Sequence, residues 1–269
     1  MSLLGNRWTE PNYQKAIEWC KTRQKQDINC TVAFLGGTPQ DDSQAQLAFE
    51  TNVYVVKLIG DQKLNASVTL KPTVLGVLLD KSKCRQRVLA IAEEAANQNL
   101  PVEIATESKD LVSFSLETAV ACAKENKNVI LDLQVYLNRT FEDLKTASKN
   151  GAGVRLVKGA YVGDANKLEE IQTHFKSLID SSAVNSNKVL LGTHDPEIIE
   201  WVKEKFRDKK GLVEFGFLKG LSDRTKIELV ERGWRVLEYV PFGEKTGAYV
   251  NRRLKFLSDL EAIGKLPAP

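Results

Sequence analysis

Eight short runs rich in valine, isoleucine and leucine, separated by segments of helical period, restrict the fold more than any other feature of this chain. The runs are Thr31 to Leu35, Val68 to Thr73, Val102 to Thr106, Val129 to Val135, Val154 to Gly159, Val189 to Gly192, Leu212 to Phe217 and Trp234 to Val240. Each has the length of a strand. Between them, Cys84 to Gln98, Leu111 to Glu125, Asp164 to Ser182, Pro196 to Phe206 and Ser222 to Arg232 repeat their apolar residues at helical spacing. Glycine, proline or asparagine stands near many of the joints. Eight strands alternating with helices predict an α/β chain closed into a (β/α)8 barrel, with an open doubly wound sheet as the alternative. No linker or repeat divides the 269 residues, so one domain spanning 1–269 is expected, residues 1–65 carrying no motif of their own.

Composition removes several function classes. Thirty-eight basic and 35 acidic residues leave a net charge of +3, which makes no electrostatic case for nucleic acid or an acidic membrane. No apolar run reaches the ~18 residues that span a bilayer, and the polar start MSLLGNRWTEP does not read as a signal peptide, so a cytoplasmic protein is expected. Cys20, Cys30, Cys84 and Cys122 are scattered, as reduced thiols would be. The two histidines and the cysteine spacing suggest no metal site. Neither a Gly-x-Ser-x-Gly elbow, a P-loop nor a Gly-x-Gly-x-x-Gly turn is present.

In a barrel, functional residues stand at the C-terminal ends of the strands. The polar residues there are Lys71 on the second strand, Gln134 on the fourth, Arg155 and Lys158 on the fifth, Thr193-His194-Asp195 after the sixth, Glu214 on the seventh and Tyr239 on the eighth. Two cations on one short apolar strand, VRLVKGAY, need partners, because burying an unpaired cation is costly. A phosphate-bearing ligand is one natural partner. After a Pro-Phe-Gly turn, a last helix begins near Gly247. At roughly 100° per residue, Tyr249, Arg252, Arg253 and Phe256 share one face, while Val250, Leu254 and Leu257 form an adjacent stripe suited to packing on the barrel. Paired guanidinium groups fit a carboxylate.

The motifs VRLVKGAY, GTHD, EFGFLKG and YVPFGEKTGAYVNRRL, in this order, resemble the proline dehydrogenase family, as do VTLKPTVLG and LDLQVYLNRTFED; the similarity runs from Val68 to Leu257. That resemblance implies a distorted βα barrel with its last helix across the mouth, FAD as cofactor, and oxidation of L-proline to Δ1-pyrroline-5-carboxylate, the first step of proline catabolism. It implies that Arg252 and Arg253 hold the substrate carboxylate, that Tyr239 and Tyr249 wall the pocket, and that Lys71 and Leu218 stand close to the substrate. It also implies that Arg155 lies along the flavin near its reactive nitrogen, that Lys158 approaches the phosphates, and that Gly159 lets the backbone come close. Gln134 would bond the ring edge, His194 would contact the cofactor beyond it, and Val157, Ala160 and Thr193 would complete the cofactor site. The family's usual electron acceptor is a membrane quinone, reached here by peripheral contact at most.

The chain departs from the family at several points. Ala105 or Thr106 stands where an aspartate is common, with Glu103 and Glu107 as substitutes, and Phe256 replaces a glutamate after the paired arginines. Gly216 replaces a glutamine and Pro72 follows Lys71. Three alternatives stay open: a flavin barrel oxidising another cyclic amino acid such as hydroxyproline, a flavin-binding relative without turnover, and an aldolase using Lys71 or Lys158 as a Schiff-base nucleophile.

Overall fold

All eight runs are strands in the computed structural model, which describes residues 5–159, 163–185 and 188–262. A short helix α1 (Gly5–Trp8) and α2 (Tyr13–Gln24) precede β1 (Ile28–Phe34). There follow α3 (Asp42–Asp61), β2 (Ala66–Leu70), α4 (Lys81–Asn97), β3 (Val102–Ile104), α5 (Val112–Lys124), β4 (Val129–Gln134), α6 (Thr140–Lys149) and β5 (Gly153–Val157). The chain continues through α7 (Leu168–Asn185), β6 (Val189–Gly192), α8 (Pro196–Lys205), β7 (Val213–Leu218), α9 (Asp223–Glu231), β8 (Arg235–Phe242) and α10 (Gly247–Ala262).

The strands pair in sequence order, all parallel, and β8 returns to β1, which excludes the open sheet. That closing seam matches Ile28 through Phe34 with Val236 through Phe242, residue for residue. The barrel is uneven: β3 runs three residues and β8 eight. The segment that carries no motif of its own is part of it, since Tyr13 to Asp61 supply β1 and the two helices α2 and α3 packed beside it.

Successive side chains on a strand point to opposite faces. On β3 to β5, Val102, Ile104, Val129, Leu131, Leu133, Val154 and Leu156 face the helices, and all are buried in one continuous apolar core. The other face, toward the barrel axis, carries Glu103, Asp132, Gln134 and Arg155. Barrel interiors are usually filled by branched apolar side chains; on these strands this one carries ionic and amide groups. Capping follows the sequence. Asp41, Asp80 and Asp195 each accept backbone N–H bonds at the starts of α3, α4 and α8.

Several boundaries shift for local reasons. β2 stops at Leu70, because Pro72 has no N–H and the Lys71 carbonyl turns to accept Leu75 N at 3.1 Å. The helix expected from Asp164 begins at Leu168. Asp164 is instead a loop residue that accepts from Asn138 N and pairs with Lys109. Leu254 was expected to pack on the barrel and is 43% exposed; the buried side of α10 is centred on Tyr249, with Val250 and Leu257 packed beside it.

Candidate active site at the barrel mouth

The core of the site is Arg155. Its side chain points along the barrel interior and is 4% exposed. Arg155 Nε donates to Glu103 Oε2 at 3.0 Å, and Nη2 donates to Glu103 Oε1 at 3.0 Å and to Glu214 Oε1 at 2.9 Å. Two carboxylates of the fold itself, rather than an external anion, meet this cation. Of the proposed substitutes for the missing aspartate, Glu103 is the one that reaches Arg155. Glu107 is taken by Thr73, whose N and Oγ1 lie 2.8 and 2.7 Å from its two oxygens. Burial alone would raise the Glu214 carboxyl, but the charge and hydrogen bonds of Arg155 bring it below the ordinary value. Burial would likewise weaken the Arg155 cation, and Glu103 and Glu214 more than offset that.

Three polar atoms around this pair are buried without a hydrogen-bond partner: Arg155 Nη1, Asp132 Oδ1 and Gln134 Oε1. Gln134 is oriented by its own amide, which donates to Thr106 O at 2.6 Å, so the orphan is its acceptor end. Buried polar groups are rarely left this way. Space is kept beside them by glycines on the facing strands. A Cβ at Gly216 would stand 3.3 Å from Arg155 Nη1 and 3.0 Å from Leu191 O, and one at Gly192 would stand 3.0 Å from Val157 Cγ1. A flat ligand with donors and acceptors along one edge suits that slot.

Beyond β5 the chain bends sharply. Gly159 has φ +104°, and a Cβ there would lie 1.9 Å from the Tyr136 ring. Its missing side chain therefore makes room for Tyr136, a neighbour within the protein. Val157 and Lys158 are half-buried on either side of the strand end, and Ala160 lies outside the described residues.

His194 is locked in place. Leu218 N donates to its Nε2 at 3.2 Å, so Nδ1 carries the proton and donates to Ser222 Oγ at 3.0 Å. Burial, with the charges of Lys226 and Arg253, pushes its pKa down to about 3, and the ring is neutral. With both nitrogens engaged, it can meet a ligand through its carbon edge or ring face. Thr193 is buried, and its Oγ1 accepts Asp195 N at 3.1 Å.

Helix α10 lies against the C-terminal ends of β1, β7 and β8. Tyr249 is buried there with Leu35, Leu221 and Trp8, and packs against Leu218 and Tyr239. The Tyr239 and Tyr249 rings are 6.2 Å apart, tilted by 31°, and Arg253 lies 5.3 Å over the Tyr249 ring. Burial pushes both phenols well above their ordinary range. Arg253 is lowered, first by burial and then by its neighbour Arg252. Both arginines are half-buried, as is Lys71 at the end of β2. Tyr239, Tyr249, Arg252, Arg253 and Leu218 thus share one side of the mouth. The Phe256 side chain lies outside the described residues.

A cavity of about 610 Å³ opens at the opposite end of the barrel, among Asn29, Ser67, Gly153 and Arg235, with Glu103 and Arg155 as its inner wall. It is on the stability face of such a fold. The orphaned atoms, the glycine clearance and the tyrosine-arginine helix gather at the other end.

Sequence reading missed Asp132. It lies two residues before Gln134, hence on the same inward face, and is paired in register with Arg155. That alternation was the available signal.

A family model described as proline dehydrogenase matches residues 16–255. Proline dehydrogenase 2 of Bacillus subtilis (strain 168) is 27% identical over 251 residues, covering 90% of this chain and 82% of that protein. Among solved structures, proline utilization A from Bdellovibrio bacteriovorus, inactivated by N-propargylglycine, superposes with a TM-score of 0.82 at 22% identity over 93% of this chain. Proline utilization A from Corynebacterium freiburgense gives 0.80 at 15% identity over 97%. This chain spans 32% of the length of each of those two chains, and they share its barrel. With the family model extending from α2 into α10, the chain belongs to the proline dehydrogenase family.

Proposed function

We propose that this protein is an FAD-dependent proline dehydrogenase that oxidises L-proline to Δ1-pyrroline-5-carboxylate, the first step of proline catabolism. The observation that carries the reading is the combination, at one barrel mouth, of three unsatisfied buried polar atoms beside a glycine-cleared slot with a helix bearing Tyr249, Arg252 and Arg253. Membership of the family supports the substrate and the reaction class.

The residues present fit a flavin. Gln134 Oε1 is an acceptor for an imide N–H, and Arg155 Nη1 is a donor for a ring nitrogen or carbonyl. Lys158, just past β5, suits the phosphates, and Val157, Gly159, Thr193 and His194, at the ends of the neighbouring strands β5 and β6, would line the same group; Ala160 is assigned to it from the sequence alone. When bound, the flavin supplies the two-electron acceptor for the substrate's ring C–H bond. The remaining work is positional. Arg252 and Arg253 hold the substrate carboxylate by charge-assisted bonds, fixing the ring's orientation. Tyr239, Tyr249 and Leu218 exclude water from its apolar edge, and Lys71 stands just past the end of β2. Arg155 offers a preorganised positive donor where negative charge develops. Among the described residues no helix is long and apolar enough to cross a membrane. A quinone acceptor, reached from the cytoplasm by peripheral contact, completes the proposal.

The test is the visible spectrum of the protein saturated with FAD and cleared of free flavin, before and after anaerobic L-proline. Bleaching by proline supports the reading. Retained flavin that proline leaves oxidised, but hydroxyproline bleaches, transfers the activity to the other cyclic amino acid. Retained flavin that neither reduces describes a binding protein. No retained flavin overturns the cofactor assignment and returns Lys71 and Lys158 to borohydride trapping as aldolase candidates.

A further inference from the structure

One buried acid is left over by that mechanism. Asp132 projects into the barrel from β4, in register with Arg155 on β5, and its carboxyl is within hydrogen-bond reach of Glu103 on β3. Both Glu103 oxygens already receive Arg155 N–H groups, and Arg155 also serves Glu214. One buried guanidinium therefore faces three carboxyl groups, and Asp132 Oδ1 has no donor. The other charged or titratable groups facing this space are Lys71 from β2, Glu107 from the loop after β3, and Tyr239 and Arg235 from β8. Glu107 is occupied by Thr73, and Arg235 is spent on Glu214 at 3.2 Å and is 44% exposed. Three ionised carboxylates on one fully buried cation would leave excess negative charge away from water, at large cost.

Resting on the flavin reading above, we propose that Glu103 and Asp132 hold one proton between them. Asp132 is then a neutral acid in the folded protein, and a positioning residue that sets the charge Arg155 presents to the ligand. The proton lies on Asp132 and is donated to Glu103, which keeps its two bonds from Arg155. Arg155 Nη1 then faces the mouth as a donor whose guanidinium is opposed by two carboxylates rather than three. Ionising Asp132 would add a third negative charge beside that donor and weaken it further. Burial, and next the charge of Glu103, raise the Asp132 carboxyl well above its ordinary range, with Arg155 opposing; this agrees with the charge count. By contrast Asp41, Asp42, Asp164 and Asp223 are all held below the ordinary value.

The test has two independent readouts. Infrared spectra of the apoprotein, with its aspartate carboxyls carbon-13 labelled, should contain the carbonyl band of a protonated aspartic acid at neutral pH. The band should disappear in Asp132→Asn and, in the unchanged protein, on raising the pH. A labelled protein without such a band at neutral pH overturns the proposal, and this measurement needs no variant that folds and no flavin. In the FAD-loaded protein, the midpoint potential of Asp132→Asn should match that of the unchanged protein at neutral pH. It should lie above it only at alkaline pH, where Asp132 ionises. A variant that already lies above it at neutral pH overturns the proposal. A protein that binds no flavin sinks the functional reading alone, and the infrared band still decides the proton.

Discussion

Two buried ion clusters in this barrel are built from the same residue types and end in opposite states. The inner one joins Arg155 to Glu103 and Glu214. The outer one lies between β8 and helices α2 and α9, where Glu238 and Lys226 are both 0% exposed. There Glu238 accepts from Trp19 Nε1 at 2.6 Å, from Arg23 Nε at 3.2 Å, and from Lys226. Lys226 also donates to Leu218 O at 3.1 Å and Asp223 at 2.9 Å, and Arg23 to Gln26 at 2.9 Å and Asp223 at 2.5 Å. No polar side-chain atom of the outer cluster is left without a partner, whereas the inner one carries orphans on Arg155, Asp132 and Gln134. Burial alone does not mark a functional charge. A closed set of partners marks a structural clamp, and an open set marks a place where something else is to bind.

That contrast can be broken most severely at Lys226. Lys226→Met leaves Glu238 buried with less compensation, so urea denaturation should reveal a loss of about 3–5 kcal/mol. An unfolding free energy within about 1 kcal/mol of the parent would show the outer cluster to be as open as the inner one. Next in size is Arg253→Ala. If it holds the substrate carboxylate, kcat/KM for proline should fall roughly 100-fold, the equivalent of about 2.7 kcal/mol. Stability should barely change, because α10 is outside the closed sheet. A thermal shift with intact kinetics would instead make Arg253 a packing residue.

His194, bonded to Ser222 and Leu218, provides the pH dependence. Its folded pKa is depressed, so its contribution is fully present above the ordinary histidine value of about 6.5. It is lost as pH falls toward about 3. Within that window acid should cost up to about 1.4 kcal/mol per pH unit from this one group. His194→Asn should flatten that part of the stability curve; an unchanged curve would mean that the ring titrates alike in the folded and unfolded chain. The smallest effect is a control outside both clusters. Asp80→Ala removes the cap that accepts Ser82 N and Lys83 N at the start of α4 and should cost about 1 kcal/mol, leaving flavin binding and kinetics alone.

The sequence disclosed the strands more readily than the charges. Eight apolar runs were enough for the barrel, because β-branched residues facing the helices repeat wherever a strand does. Helices α2 and α3 were not marked out, since their apolar residues mix with many polar ones and α3 carries the β-branched pair Val55-Val56. At the site, Arg155, Gln134, Tyr239 and the α10 face could be picked out as polar groups at strand ends or on one helix stripe. Asp132 and Glu238 could not. A strand's alternation tells which residues share a face, but not whether a charged one meets solvent, a clamp or a ligand slot. Glu103 pairing with Arg155 required strands 52 residues apart to be brought together.

The position of α10 has a consequence for how this scaffold can diversify. The sheet closes through β1 and β8 without it, and Tyr249, Val250 and Leu257 seat it on the rim through a small apolar patch. The groups proposed to choose a substrate therefore ride largely on a helix outside the closed sheet, while those proposed for a cofactor are set in the ring. If the proposed roles hold, changes confined to α10 would alter which substrate is taken while the groups proposed for the cofactor stay as they are.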